Sequence, residues 1–122
     1  MKKHIMFIAD DKTELDHFMT ALREVPEDDG FKLTHAGSIS QATEMLRLLV
    51  PHYIFIDKCF DSADFIRHVK NHKALGHVKI FIYQGNKMVE CKQPATRPDV
   101  AGWVHRSDSS WQLGQNLANC FA

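Results

Sequence analysis

Apolar positions along the chain follow two alternating rhythms. Ile5 to Ala9 is a short continuous apolar run, the mark of a strand buried on both faces. Leu15, Phe18, Met19 and Leu22 then recur at i, i+3, i+4 and i+7, which predicts an amphipathic helix stopped by Pro26 and the acidic turn after it. Residues 31–36, FKLTHA, alternate as a strand does. Ser38 and Gln41 have capping-box spacing, and Ile39, Ala42, Met45, Leu46 and Leu49 carry a second helix up to Pro51. YIFI, 53–56, is another buried-strand run, closed by Asp57.

The same alternation continues to the end. Phe65, Ile66 and Val69 mark a modest helix, with Gly76 beyond its end, and VKIFIY, 78–83, is a fourth strand. Residues 86–99 are the least regular stretch, because Pro94 and Pro98 forbid a long helix there. GWVH, 102–105, reads as a short fifth strand. Ser107 or Asp108 is placed to cap a last helix through Trp111, Leu113, Leu117, Cys120 and Phe121, which Gly114 should weaken.

Strands alternating with helices imply βαβ units and a parallel sheet covered on both faces. The expected fold is α/β: a doubly wound, flavodoxin-like sheet of five parallel strands in the order 2-1-3-4-5. At 122 residues, with 44% hydrophobic, the pattern uses the whole chain as one domain, 1–122.

Composition narrows the function. Lys plus Arg equals Asp plus Glu, 15 each, so the basic excess of a general nucleic-acid or anionic-membrane binder is missing. Three scattered cysteines without a CxxC pair make no disulfide framework and suit a reducing cytoplasm. No apolar stretch approaches a membrane span, and IMFIA is too short for a signal-peptide core.

The charged residues that stand out are carboxylates. Asp10 and Asp11 follow the first strand and Asp57 follows the third. In the order 2-1-3-4-5 these strands are neighbours at the switch point, where ligands of open α/β sheets sit. Three acids gathered there would raise one another's pKa values unless a hard cation joined them, and Mg2+ suits such oxygen ligands. The plainer reading is that Asp11 or Thr13 caps helix one and Asp57 caps a turn.

With Asp10-Asp11, Asp57 after YIFI, and the late GWVHR run, the chain resembles the receiver domain of two-component response regulators over residues 4–121. That resemblance implies that Asp10, Asp11, Asp57 and the backbone carbonyl of Cys59 hold Mg2+. It implies that Asp57 accepts a phosphoryl group from a histidine kinase or a histidine phosphotransfer protein. Trp103 falls at the family's aromatic switch position. Arg106 stands where Lys is usual and Gln84 where Thr or Ser is usual, with Tyr83 the rival if the strand shifts by one. The segment after Asp57, KCFDSADF, lacks the family's Pro and Gly.

The expected function is therefore phospho-accepting signal transfer. It is self-catalysed rather than enzymatic in the usual sense, with output through protein contacts and no nucleic acid or membrane as partner. The departures at Arg106 and Gln84 support an alternative, a pseudo-receiver that acts as a phosphorylation-independent interaction module. A flavodoxin-like cofactor binder fits less well, because DDKTE is acidic where a phosphate loop needs exposed N–H groups.

Other features have simpler readings. His68 and His72, at i and i+4 with His77 nearby, could bind zinc but suit an exposed polar helix face better. Cys59 could be a redox thiol, although its backbone carbonyl is the more direct contribution. Lys58 is a solvated loop lysine unless it shields the acidic site, and Trp103 is either a switch or strand packing. Trp111 and Phe121 should pack the last helix on the sheet; exposure of that face would make a homodimer or partner surface.

Overall fold

The computed structural model describes residues 3–27, 30–60, 63–84, 100–105 and 109–121, with the backbone alone for Cys59 and His105. The strands are β1 (Lys3–Ile8), β2 (Phe31–Ala36), β3 (Tyr53–Asp57), β4 (Lys79–Gln84) and β5 (Gly102–His105). The helices are α1 (Lys12–Arg23), α2 (Ile39–Met45), α3 (Ala63–Asn71) and α4 (Ser110–Phe121). All strand pairings are parallel, and the sheet order is β2-β1-β3-β4-β5. The expected fold class and strand order are those observed. The irregular stretch 86–99 lies outside the described residues.

Strand alternation sorts side chains into two chemically different cores. One face carries Met6, Ile8, Ile54, Ile56, Ile80 and Ile82, covered by Ala42 and Leu46 of the α2 segment and by Phe65, Ile66 and Val69 of α3. The other carries Ile5, Phe7, Phe55, Phe81 and Tyr83, covered by α1 and α4. The second face is a ring lattice: Phe7 stacks on Phe18 with centroids 4.3 Å apart, and Phe55 on Phe81 at 5.2 Å. Successive strand residues point to opposite faces, so the run Tyr-Ile-Phe-Ile builds aliphatic and aromatic layers together.

Local chemistry sets the helix ends. The Ser38 hydroxyl accepts from the Gln41 amide at 3.1 Å, and the Gln41 side chain accepts from the Gly37 amide at 2.7 Å, a reciprocal cap of the kind the spacing predicted. The second helix ends earlier than its apolar rhythm suggested. After Met45 the backbone closes into turns, with Leu48 N–H donating to the Met45 carbonyl, and Leu48 is left 91% exposed. The last helix is capped by Ser109, whose hydroxyl accepts from Gln112 N–H at 3.3 Å; the expected caps Ser107 and Asp108 lie outside the described residues. Gly114 faces α1 so closely that a Cβ there would stand 2.8 Å from Glu24 Cβ and 3.1 Å from the Ala21 carbonyl oxygen.

Candidate functional site

The carboxyl ends of β1 and β3 meet as the strand order required. Ile8 pairs with Ile56, the last pair of that ladder. One residue further, Ala9 ends the apolar run beside Asp57, and Asp10 follows it. Asp57 is the last residue of β3 and is only 8% exposed, one of two buried charged groups among the described residues. A short 3-10 turn, Lys58–Phe60, carries the backbone of Cys59 away from it.

The acidic pair splits into two roles. Asp10 is exposed. Asp11 is the N-cap of α1, and its Oδ1 accepts from the amides of Thr13 at 2.8 Å and Glu14 at 3.4 Å. The helix N-terminus thus disperses part of the like-charge repulsion without any ion. Among the described residues no group of three His, Cys, Asp or Glu side chains is arranged to hold a metal ion. Asp10, Asp11 and Asp57 therefore share one edge of the sheet without forming a closed three-carboxylate cage. The donor set is still all oxygen, as a hard divalent cation requires, and Mg2+ keeps several waters. Asp10, the second oxygen of Asp11, Asp57 and the Cys59 carbonyl are the donors for such a water-rich site.

The second buried charge, Glu14, was not legible in the sequence as a site residue. It is 5% exposed, on the inner side of the first turn of α1. The Tyr83 hydroxyl donates to its Oε2 at 2.9 Å, across 69 residues of sequence. Glu14 stands at i−4 from Phe18 and i−7 from Ala21, on the buried stripe of the helix, where a charge replaces an apolar residue. The signal that could have found it is a tyrosine ending a buried strand, since a buried phenol needs an acceptor.

Tyr83 and Gln84 point to opposite faces. Tyr83 is fully buried in the aromatic layer, while Ile80, Ile82 and, by alternation, Gln84 belong to the aliphatic side. Trp103 packs against that same aliphatic core, and Ile82 is its register partner. Gln84 and Trp103 are thus the pair that shares a face, and the rival position Tyr83 faces away from Trp103. The Gln84 Oε1 is buried and has no hydrogen-bond partner among the described residues. Lys58 reaches over Trp103, its Nζ 5.3 Å from the ring centroid, a cation–π contact. Arg106 lies outside the described residues.

The histidines resolve mostly into structure. His72 is an N-cap whose Nδ1 accepts from Ala74 N–H at 3.2 Å. In neutral His72 the proton is then on Nε2, which is a donor and not a metal ligand. His68 and His72 are both exposed, with ring centroids 6.1 Å apart. His35 Nε2 lies 2.6 Å from the Ala9 carbonyl oxygen and secures the end of β1 next to the site. At the opposite edge, burial, then Lys32 and then His52 hold the His4 pKa below its usual value.

No family profile matches the chain, and no curated protein does. Solved structures match it closely in fold. The phosphorylated cyanobacterial phytochrome response regulator RcpA superposes with a TM-score of 0.73 at 15% identity, covering 98% of this chain and 91% of that one. The chemotaxis response regulator CheY4 of Vibrio cholerae gives 0.72 at 12% identity, covering 98% of each chain. A response regulator from Thermotoga maritima gives 0.70 at 14% identity, covering 98% and 97%. The fold is that of response regulator receiver domains. Among the described residues no helix is long and apolar enough to cross a membrane.

Proposed function

We propose that the protein is a receiver in two-component signalling, with Asp57 as its phosphoacceptor. The observation that carries this reading is a nearly buried carboxylate at the carboxyl end of the central strand β3, beside the acidic pair that follows β1, in a receiver fold. In the proposed step an Asp57 oxygen attacks the donor's phosphorus in line. A P–O bond forms, the bond to the donor's imidazole nitrogen breaks, and the imidazole leaves with that electron pair. A histidine kinase or a histidine phosphotransfer protein is the donor this chemistry calls for, and the output is a changed protein contact. A bound Mg2+, held by Asp10, Asp11, Asp57 and the Cys59 carbonyl, would neutralise phosphoryl charge. Asp11 orders the first turn of α1, and Arg106 is proposed as the cationic side chain that faces the phosphoryl oxygens. Catalysis is confined to the protein's own phosphorylation and slow dephosphorylation.

A second reading has a specific observation behind it. Asp11 Oδ1 is engaged in the helix cap, and among the described residues no group of three His, Cys, Asp or Glu side chains is arranged to hold a metal ion, which favours a phosphorylation-independent interaction module. Acetyl phosphate with Mg2+, followed by intact-mass spectrometry, separates the two. The receiver reading expects a gain of one phosphoryl group that is lost in Asp57→Asn. No gain in the wild-type protein leaves the interaction module as the reading.

A further inference from the structure

Tyr83 begins on β4, and its register partner on β3 is Asp57. Its ring nevertheless meets Phe7 of β1 edge-on, with centroids 5.2 Å apart, and Phe18 of α1 at 5.8 Å. β4 and β1 are separated by β3, so their axes are about 9.6 Å apart at the usual strand spacing. The ring must therefore lie across β3, on the face where Phe55 and, by alternation, Asp57 project. From there the hydroxyl continues to Glu14 on α1. The two buried carboxylates, Glu14 and Asp57, thus lie on the one face that the Tyr83 ring crosses, Glu14 as its hydrogen-bond partner and Asp57 as its register partner.

We infer that the Glu14–Tyr83 hydrogen bond is the link by which charge gained at Asp57 reaches α1, so that the first turn of α1 is an output surface of this fold. The inference rests on Asp57 as the acceptor. A phenol has one proton to donate. Converting Asp57 to its acyl phosphate adds negative charge and strong acceptor oxygens beside the ring. Those oxygens compete with Glu14 Oε2 for the phenolic proton, while the added charge repels the Glu14 carboxylate. Both effects weaken the same bond, and Glu14 lies in the first turn of α1, next to the Asp11 cap. Gln84 and Trp103 occupy the other face of the sheet and are not part of this route.

The protein contains two tyrosines, so 3-fluorotyrosine labelling yields two fluorine resonances, with Tyr53 as internal control. Acetyl phosphate and Mg2+ are added, adduct formation is followed by intact mass, and 19F and 15N–1H spectra are recorded on the same sample. The expected result is a shift of the Tyr83 fluorine and of the amides of residues 12–18 as the adduct appears, with Tyr53 unmoved. Glu14→Gln keeps the shape and an acceptor oxygen but removes the charge, and should at least halve the α1 shifts at equal adduct. An adduct with Tyr83 unmoved, or α1 shifts undiminished in Glu14→Gln, overturns the link and leaves the receiver reading standing. No adduct at all overturns both, and the mass spectrum tells the two failures apart. The wild-type fluorine signal decides the question even if the variant fails to fold.

Discussion

Replacing Gly114 with alanine should destabilise the protein, although helix propensity alone points the other way. A glycine inside a helix costs about 0.8–1.0 kcal/mol relative to alanine, so an isolated α4 would gain from the change. The structure reverses the sign. The new Cβ would lie 2.8 Å from Glu24 Cβ and 3.1 Å from the Ala21 carbonyl oxygen. Carbon atoms pack best at roughly 3.5–4.0 Å, so α4 must back away from α1 by ~0.7 Å or more. Neither obstacle can rotate aside, because one is a backbone oxygen and the other is fixed to the backbone at the C-cap of α1. Overpacking of this kind costs about 1–3 kcal/mol. Set against the propensity gain, the net loss is about 1 kcal/mol. Urea unfolding of Gly114→Ala should show a lower midpoint with an unchanged slope. Gly76→Ala is the control: its φ is −62° and the nearest atom to an added Cβ is 3.7 Å away, so it should be neutral or slightly stabilising. A Gly114→Ala protein more stable than wild type by the propensity difference would refute the packing argument.

Asp11→Ala should cost about 1 kcal/mol of stability in the presence of a chelator, through loss of its cap, while Asp10→Ala at the exposed neighbour should cost less; equal losses in urea melts would sink the division of roles. The His4 pKa is depressed below its ordinary 6.5. The unfolded chain therefore takes up this proton first, and stability should fall as pH drops through about 6.5 and below. His4→Gln should flatten that part of the pH profile of the urea midpoint, and an unchanged profile counts against it. Burial pushes the Cys120 thiol up to about 12. With Cys59 and Cys91 changed to serine, Cys120 should react slowly with a thiol-selective disulfide reagent at pH 8 and readily once unfolded. Fast reaction of the folded protein would contradict its half-buried placement.

Much of the fold was written in the order of side chains. Continuous apolar runs at residues 5–9, 53–56 and 80–83 can satisfy strand geometry only when covered on both sides, and short helices between parallel strands leave one common way to wind. The capping of α2 by Ser38 and Gln41 is local chemistry within four residues and was legible for the same reason. So was the placement of Asp57, because a carboxylate directly after a buried run must emerge at the end of that strand.

What the tertiary structure decided is which way borderline groups turn and what they meet. Asp11 could have been a cap, an ion ligand or both from its position in the chain; the placed side chain shows the cap, made through one of its two oxygens. Glu14 reads as a lone charge on the apolar stripe of α1, and the assembled layers supply its partner, a tyrosine 69 residues away. Gly114 reads as a weak point in a helix, and the close approach of α1 makes it a requirement. Periodicity reports the average face of an element to within about a residue. The contacts that set these roles depend on helix rotation and interhelix distance at the scale of a single methyl group, and only the assembled layers determine those.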